Sequence, residues 1–228
     1  MTQRTYHSSD DLSMRTRALH CSATDNGKYR VVLEATLFHP QGGGQLSDQG
    51  TIAGANVERV ILEGDEIVHV VDREVGAGEV LIEVNPAIRS LHARLHSAGH
   101  LIAGVVESQG WYATKGHHWP GEGRVVFEPR VSPQMPTAEK VELAVNQLVA
   151  DDAPRHLAEQ DGTRSVCFGD LPMHRCGGTH VASAGRVGRI RILKLKEKKG
   201  QLSIQYDLEA GDAAPTHGSA FLVSQSQS

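Results

Sequence analysis

A chain of 228 residues that is 39% hydrophobic and 22% charged has the balance of a water-soluble globular protein, with material for one large or two modest cores. A net charge of −4 excludes indiscriminate coating of nucleic acid, and no apolar run approaches the length of a membrane span. Three cysteines (Cys21, Cys167 and Cys176) without paired spacing exclude a disulfide framework and point to a reducing compartment, with the cytoplasm as the default. The first residues carry Arg4, Asp10 and Asp11 and no apolar stretch, so no secretory signal is expected.

From about Leu19 to Val84, short apolar runs are broken by turn signals such as Asp25-Asn26-Gly27, Gly42 to Gly44 and Gly64-Asp65. Alternation near Val31 to Leu37 and Val57 to Val71 predicts antiparallel strands and hairpins, curled into a small barrel or sheet. Within this region HPQGGGQLSDQG, His39 to Gly50, sets three glycines directly before Gln45. One or two glycines suit a tight hairpin. Three in succession predict close approach of the backbone to a ligand or to a second domain. No Lys-Ser/Thr pair follows, so the loop is not a nucleotide-binding P-loop, and no nucleotide cofactor is expected.

Asn85-Pro86 reads as the N-cap and first position of a helix. Ile88, Leu91, Leu95, Ala98, Ile102 and Val105 form its predicted buried stripe, and it ends near Gly110. His92, His96 and His100 run along the adjacent face, and both successive pairs have ligand spacing. WYATKGHHWPGEGRVVFEP reads as a loop and a strand, and Thr137 to about Ala150 as a second helix, with Val141, Ala144, Val145 and Leu148 inward. From Arg164 onward the pattern is again strand-like, with two strands predicted around Lys198-Lys199-Gly200-Gln201. The residues at the C-terminal end, rich in Ala, Ser and Gln, carry no core-forming pattern.

Chemistry concentrates in two segments, HSAGH from His96 to His100 and CGGTH from Cys176 to His180. Together they supply three imidazoles and one thiolate, a set that tetrahedral zinc accepts. Gly177 and Gly178 bend the second pair on a turn and leave backbone amides uncovered, where charge developing on an oxyanion can be stabilised. Four ligands usually close a structural site, yet so long and apolar a helix should fold without metal, which favours a working centre. A third feature lies between Arg186 and Lys199, where seven basic residues face the single acid Glu197. A patch of this kind contacts phosphates or blunts a sheet edge.

HPQGGGQLSDQGTI, HSAGHLI, KGHHWPGEGRVVFE and CGGTHV followed by VGRIRI occur here in order. This series resembles the editing domain of alanyl-tRNA synthetase and its free-standing relatives, the alanyl-tRNA editing proteins often called AlaX, over about residues 20 to 210. With no room for an aminoacylation domain, the match is to the stand-alone, medium-length form. The resemblance implies an α+β fold: a small N-terminal antiparallel β-barrel (1–85), then an α+β zinc-binding domain (86–212) of the threonyl/alanyl-tRNA synthetase additional-domain type; composition, rather than the resemblance, predicts a disordered tail (213–228). The resemblance also implies a zinc-dependent, ATP-independent hydrolase of mischarged tRNA(Ala), chiefly Ser-tRNA(Ala) and also Gly-tRNA(Ala).

It further implies His96, His100, Cys176 and His180 as Zn2+ ligands, with His92 a bystander. Gly43, Gly44, Gln45 and Thr179 are the expected substrate contacts, Gln45 and Thr179 as readers of the serine hydroxyl. No side chain is assigned as general base; a zinc-associated water and the backbone of Gly177 and Gly178 are the expected reactive elements. Arg189, Arg191, Lys194, Lys196, Lys198 and Lys199 are the expected tRNA contacts. Relatives often carry consecutive arginines in the last basic segment, whereas Leu202 to Tyr206 here reads LSIQY. Two other classes suit the same residues: a zinc hydrolase of small esters or amides, and a non-catalytic zinc-stabilised RNA-binding module.

Overall fold

Alternating burial dominates the first third of the chain, as residues of a half-buried sheet require. The computed structural model describes residues 1–130 and 132–209; the expected tail at 213–228 lies outside them. The strands of this region are β1 (Gln3–Arg4), β2 (Ser13–Ala23), β3 (Tyr29–Leu33), β4 (Ala35–Thr36), β5 (Gly50–Ile52), β6 (Ala55–Glu63), β7 (Glu66–Val71) and β8 (Gly78–Val84). Six of them pair antiparallel in the order β2-β3-β7-β6-β5-β8, and β8 returns to β2, so the sheet closes on itself. Val80, Ile82 and Val84 of β8 face inward at every second position. In β6 the inward residues step from Val57 to Val60, because the register shifts between Val57 and Arg59.

Then follow α1 (Pro86–Glu107), β9 (Trp111–His117), β10 (Arg124–Pro129), α2 (Ala138–Ala150), β11 (Arg155–Gln160), β12 (Thr163–Phe168), β13 (His174–Arg175), β14 (Ile190–Lys198) and β15 (Gln201–Leu208). The chain is thus α+β and mostly strand. An antiparallel sheet of order β14-β15-β10-β9 packs against both helices, and β11, β12 and β13 form a smaller sheet. This half has its own core around Leu101, Ile102, Phe127, Phe168 and Tyr206, separate from the barrel core around Leu33, Phe38, Ile52 and Ile82. No helix of the described residues is long and apolar enough to cross a membrane.

Both helices start where their caps dictate. The Asn85 side chain accepts from the Ala87 and Ile88 amides, and Thr137 accepts from Lys140. Two expectations need correction. WYATKGH is a strand, β9, paired with β10 as a hairpin, so its mixed polarity reflects one face open to a cleft. Leu91 is 38% exposed rather than part of the buried stripe. The first turns of α1 bury Arg89, His92 and Ala93 instead.

Arg89 explains that rotation. Its guanidinium grips Asp48 through Nε (3.0 Å) and Nη2 (2.5 Å) and donates to the Leu37 carbonyl (2.6 Å). Asp48 in turn accepts the His39 amide at 2.6 Å. Removing one partner from such a buried ion pair costs roughly 3–5 kcal/mol, because the other charge is left without compensation. The pair anchors the glycine-rich loop to the helix that carries His96 and His100.

One barrel residue makes stability depend on pH. His69 is fully buried, donates through Nδ1 to the Val31 carbonyl (3.1 Å) and accepts the Thr36 hydroxyl at Nε2 (2.8 Å). Burial lowers its pKa from 6.5 to about 4. Unfolded His69 takes up a proton below about pH 6.5, whereas folded His69 resists until about pH 4, so its stabilising contribution is complete above 6.5 and is lost as pH falls through that window. Between pH 7 and pH 5 the loss is about 2 kcal/mol. Urea denaturation of His69→Gln should show a correspondingly shallower acid loss than the unaltered protein; equal slopes would refute this assignment.

Candidate metal centre

Helical spacing puts His96 and His100 one above the other on α1, and the turn after β13 brings Cys176 and His180 against them. One ligand atom from each of the four lies within 4.8 Å of all the others. Cys176 Sγ is 3.4 Å from His96 Nε2 and 3.2 Å from His180 Nε2. A tetrahedral zinc with bonds of about 2.0–2.3 Å requires ligand–ligand edges of about 3.3–3.7 Å. The cluster could therefore hold a metal ion with little rearrangement. His92, the alternative by spacing, is outside it.

The electrostatics suit a cation. Burial, reinforced by the neighbouring histidines, holds His96 well below 6.5; burial, His100 and Arg164 do the same for His180. His100 is lowered to about 3, and its Nδ1 is buried without a partner. Three neutral imidazoles with lone pairs result. Burial pushes the Cys176 thiol up, against the Gly178 amide and Arg164, which favour the thiolate. A bound cation would supply the missing compensation.

The turn is shaped by its neighbours. Arg164, on β12, donates to the carbonyls of Cys176 (2.9 Å) and Gly178 (3.0 Å), and Arg155 donates to that of His180 (2.7 Å). Gly178 has to be glycine, since a Cβ there would overlap the His96 ring and press on Gln45 Oε1. Gly178 also spends its N–H on Cys176 Sγ at 3.4 Å. Of the two expected backbone groups, only Gly177 lines the adjacent cleft.

Gln45 lies behind the ligands. It is fully buried, and its Oε1 accepts from His96 Nδ1 (2.7 Å) and from the Thr179 amide (3.0 Å), while its Nε2 donates to Thr179 Oγ1 (2.8 Å). The first bond selects the His96 tautomer whose Nε2 is free to bind metal. Gln45 and Thr179 are thus engaged with each other and with His96, and neither is among the residues that line the cleft. Ser97 plays a similar part for His180, 3.3 Å from its Nδ1. Gly43 and Gly44, with positive φ of 58° and 79°, form the tight turn ahead of Gln45 and do border the cleft.

That cleft, about 970 Å³, runs from His96, His100 and Cys176 out along β9 and β10. None of Arg189, Arg191, Lys194, Lys196, Lys198 and Lys199 lines it. Four of them lie on β14, the sheet edge opposite β9, with Arg189 and Lys199 immediately flanking it, and Arg189 and Arg191 pair with Glu209. The cleft carries its own cations, Lys115, Arg124, Arg130 and Arg175, and Arg130 lies 4.7 Å from the ring centre of the exposed Tyr112. Sequence reasoning missed these, together with the His174–Glu107 pair (3.0 Å) and His118; the repeated histidines of KGHHWPGEG were the available signal.

Residues 163–203, which include Cys176 and His180, match the model of the threonyl and alanyl tRNA synthetase second additional domain. The chain is 27% identical to alanyl-tRNA editing protein AlaX-L of Pyrococcus horikoshii, over 78% of this chain and 50% of that protein. It is 31% identical to alanyl-tRNA editing protein Aarsd1-B of Xenopus laevis, over 75% of this chain and 47% of that one. The chain is a relative of the alanyl-tRNA editing proteins. Similarity extends to the alanine–tRNA ligase of Hyperthermus butylicus, at 30% identity over 79% of this chain and 23% of the ligase. The chain therefore spans about half the length of the editing relatives and about a quarter of the ligases.

If Gln45 sets the His96 tautomer, Gln45→Ala should weaken metal binding by about 10–100-fold. Competition titration with a chromophoric chelator reads this directly. Unchanged affinity combined with a lost preference for serine esters would return Gln45 to the substrate side.

Proposed function

We propose that this chain hydrolyses the aminoacyl ester of mischarged tRNA(Ala), mainly Ser-tRNA(Ala) and also Gly-tRNA(Ala), at a zinc centre made by His96, His100, Cys176 and His180. The observation that carries this reading is the four-ligand cluster at the floor of an open cleft, in a chain related to editing proteins. A closed structural zinc would have no need of a cleft about 970 Å³ in volume beside it. A zinc ion held there supplies Lewis-acid polarisation for an ester carbonyl or a water.

The chain's own residues bind and orient. Gly43 and Gly44 form a wall without side chains, against which a small aminoacyl group can lie. The Gly177 backbone borders the same space and is the remaining candidate for stabilising developing oxygen charge. Serine exceeds alanine by one hydroxyl, and a site that commits a polar group to that hydroxyl can reject alanine by on the order of 10⁴. Lys115, Arg124 and Arg175 offer charge to the phosphates of the acceptor end, while Lys194, Lys196, Lys198 and Lys199 on and beside β14 hold the body of the tRNA. The two separate cores support the division into 1–85 and 86–212, with barrel and helical parts supplying opposite walls of the site. Work on mischarged tRNA belongs in the cytoplasm.

The direct test is hydrolysis of Ser-, Gly- and Ala-tRNA(Ala) with and without a chelator. Ser-tRNA(Ala) should be cleaved and Ala-tRNA(Ala) spared. Chelation or Cys176→Ala should lower turnover by on the order of 100-fold or more. Faster cleavage of small aminoacyl esters than of charged tRNA would favour a small-ester hydrolase instead.

Glutamine at Lys194, Lys196, Lys198 and Lys199 should lower the salt dependence of tRNA binding by about one unit of slope for each phosphate contact removed, with turnover of bound substrate kept. An unchanged slope would leave the cleft cations as the tRNA surface.

A further inference from the structure

His118 follows β9 and is only 5% exposed, yet it borders the cleft. Its ring stacks on that of His96, with centroids 4.4 Å apart and planes inclined by 20°. Its Nδ1 lies 2.6 Å from Tyr206 Oη, and the same Oη lies 2.9 Å from the Leu95 carbonyl oxygen.

Proton counting then determines the tautomer. A carbonyl oxygen only accepts, so the single phenolic proton goes to Leu95. Tyr206 Oη must accept from His118, so the imidazole proton sits on Nδ1. Tyr206 is fully buried, and burial raises its pKa, which keeps that phenolic proton in place. His118 Nε2 is left with a bare lone pair. Nε2 makes no hydrogen bond among the described residues and is not among their enclosed unpartnered atoms, so the lone pair opens to the cleft.

Three glycines make room for this ring. A Cβ at Gly99 or Gly116 would overlap the imidazole, and one at Gly44 would overlap the Gly116 carbonyl and press on His118 Cδ2. Gly44 also accepts the His118 amide at 2.8 Å. Gly99 lies in the middle of α1, where glycine costs about 1 kcal/mol relative to alanine. The fold carries that cost at the position where the imidazole lies against the helix.

We propose that His118 is a substrate-positioning residue whose Nε2 accepts a hydrogen bond from a donor adjoining the scissile ester. The donor is either the ribose hydroxyl vicinal to the ester or the α-ammonium group. The inference rests on the proposed aminoacyl-ester hydrolysis. The Tyr206–Leu95 relay keeps His118 an acceptor, and the ring lies outside the four-ligand cluster, so that it orients the aminoacyl end beside the metal ligands.

The test uses the full chain loaded with zinc. His118→Phe keeps a flat ring on His96 but removes the acceptor, and should lower kcat/KM on Ser-tRNA(Ala) by about 10–100-fold at unchanged metal content. His118→Gln, which keeps an acceptor at similar reach, should recover part of that loss. Two altered substrates identify the donor: a tRNA ending in 2′-deoxyadenosine, and a 3-hydroxypropionyl ester of tRNA(Ala), which keeps the serine hydroxyl but lacks the α-amino group. On the one that lacks the relevant donor, unaltered protein and His118→Phe should hydrolyse equally, whereas a purely structural role would lower both substrates alike.

Tyr206→Phe covers the case in which His118→Phe does not fold. It frees the tautomer and should cause a smaller, several-fold loss that disappears on the same altered substrate. Equal kcat/KM for His118→Phe and unaltered protein, or a loss of the same size on every substrate, would overturn the proposal. Absence of any turnover by the unaltered protein would overturn the function itself, and the inference with it.

Discussion

One buried amide ties the centre together. Gln45 Oε1 takes hydrogen bonds from His96 on α1 and from Thr179 on the distant turn, partners 51 and 134 residues away in sequence. The glycine loop, the helix and the CGGTH turn meet there, and each contributes something the others lack. The loop brings a carboxamide of fixed polarity, the helix brings two imidazoles, and the turn brings the thiol and the third imidazole. A misplaced Gln45 would release the His96 tautomer and detach Thr179 at once, so the metal cluster and the cleft wall stand or fall together.

Burial raises the stakes of every proton in this region. His39, His69, His96, His100, His118 and His180 are all held below the ordinary histidine pKa, chiefly by desolvation. Buried neutral imidazoles are costly unless each lone pair and each N–H finds a partner. His69 finds both inside the barrel, and His118 finds one in Tyr206 and leaves the other facing the cleft. His100 Nδ1 has none among the described residues. The convergence of three imidazoles and a thiol in one cluster is a physical reason to expect a cation there, independent of any relative.

Much of this was legible in the chain. Asn85-Pro86 and the three- and four-residue periodicity mark α1, and period-two alternation near Val31 to Leu37 and Val57 to Val71 marks β3, β6 and β7, because local sterics and burial decide both. HSAGH and CGGTH were legible because ligand chemistry restricts residue type and spacing so strongly. The role of Gln45 was not. A glutamine beside glycines looks the same whether it faces a substrate or a histidine, and only the packing of α1 on the loop decides. Leu91 was misplaced for a related reason: the Arg89–Asp48 pair, invisible to periodicity, rotates the first turns of the helix. The basic run at 186–199 was visible as charge, but its distance from the cleft follows from the strand order β14-β15-β10-β9, which the sequence does not print.

The central claim is that four side chains from two distant segments share one ion. X-ray absorption at the zinc edge of the full chain, purified with its native metal, tests it most directly. The account predicts one sulfur at about 2.3 Å and three imidazole nitrogens at about 2.0–2.1 Å. A first shell without sulfur, or protein that retains no metal, would contradict it.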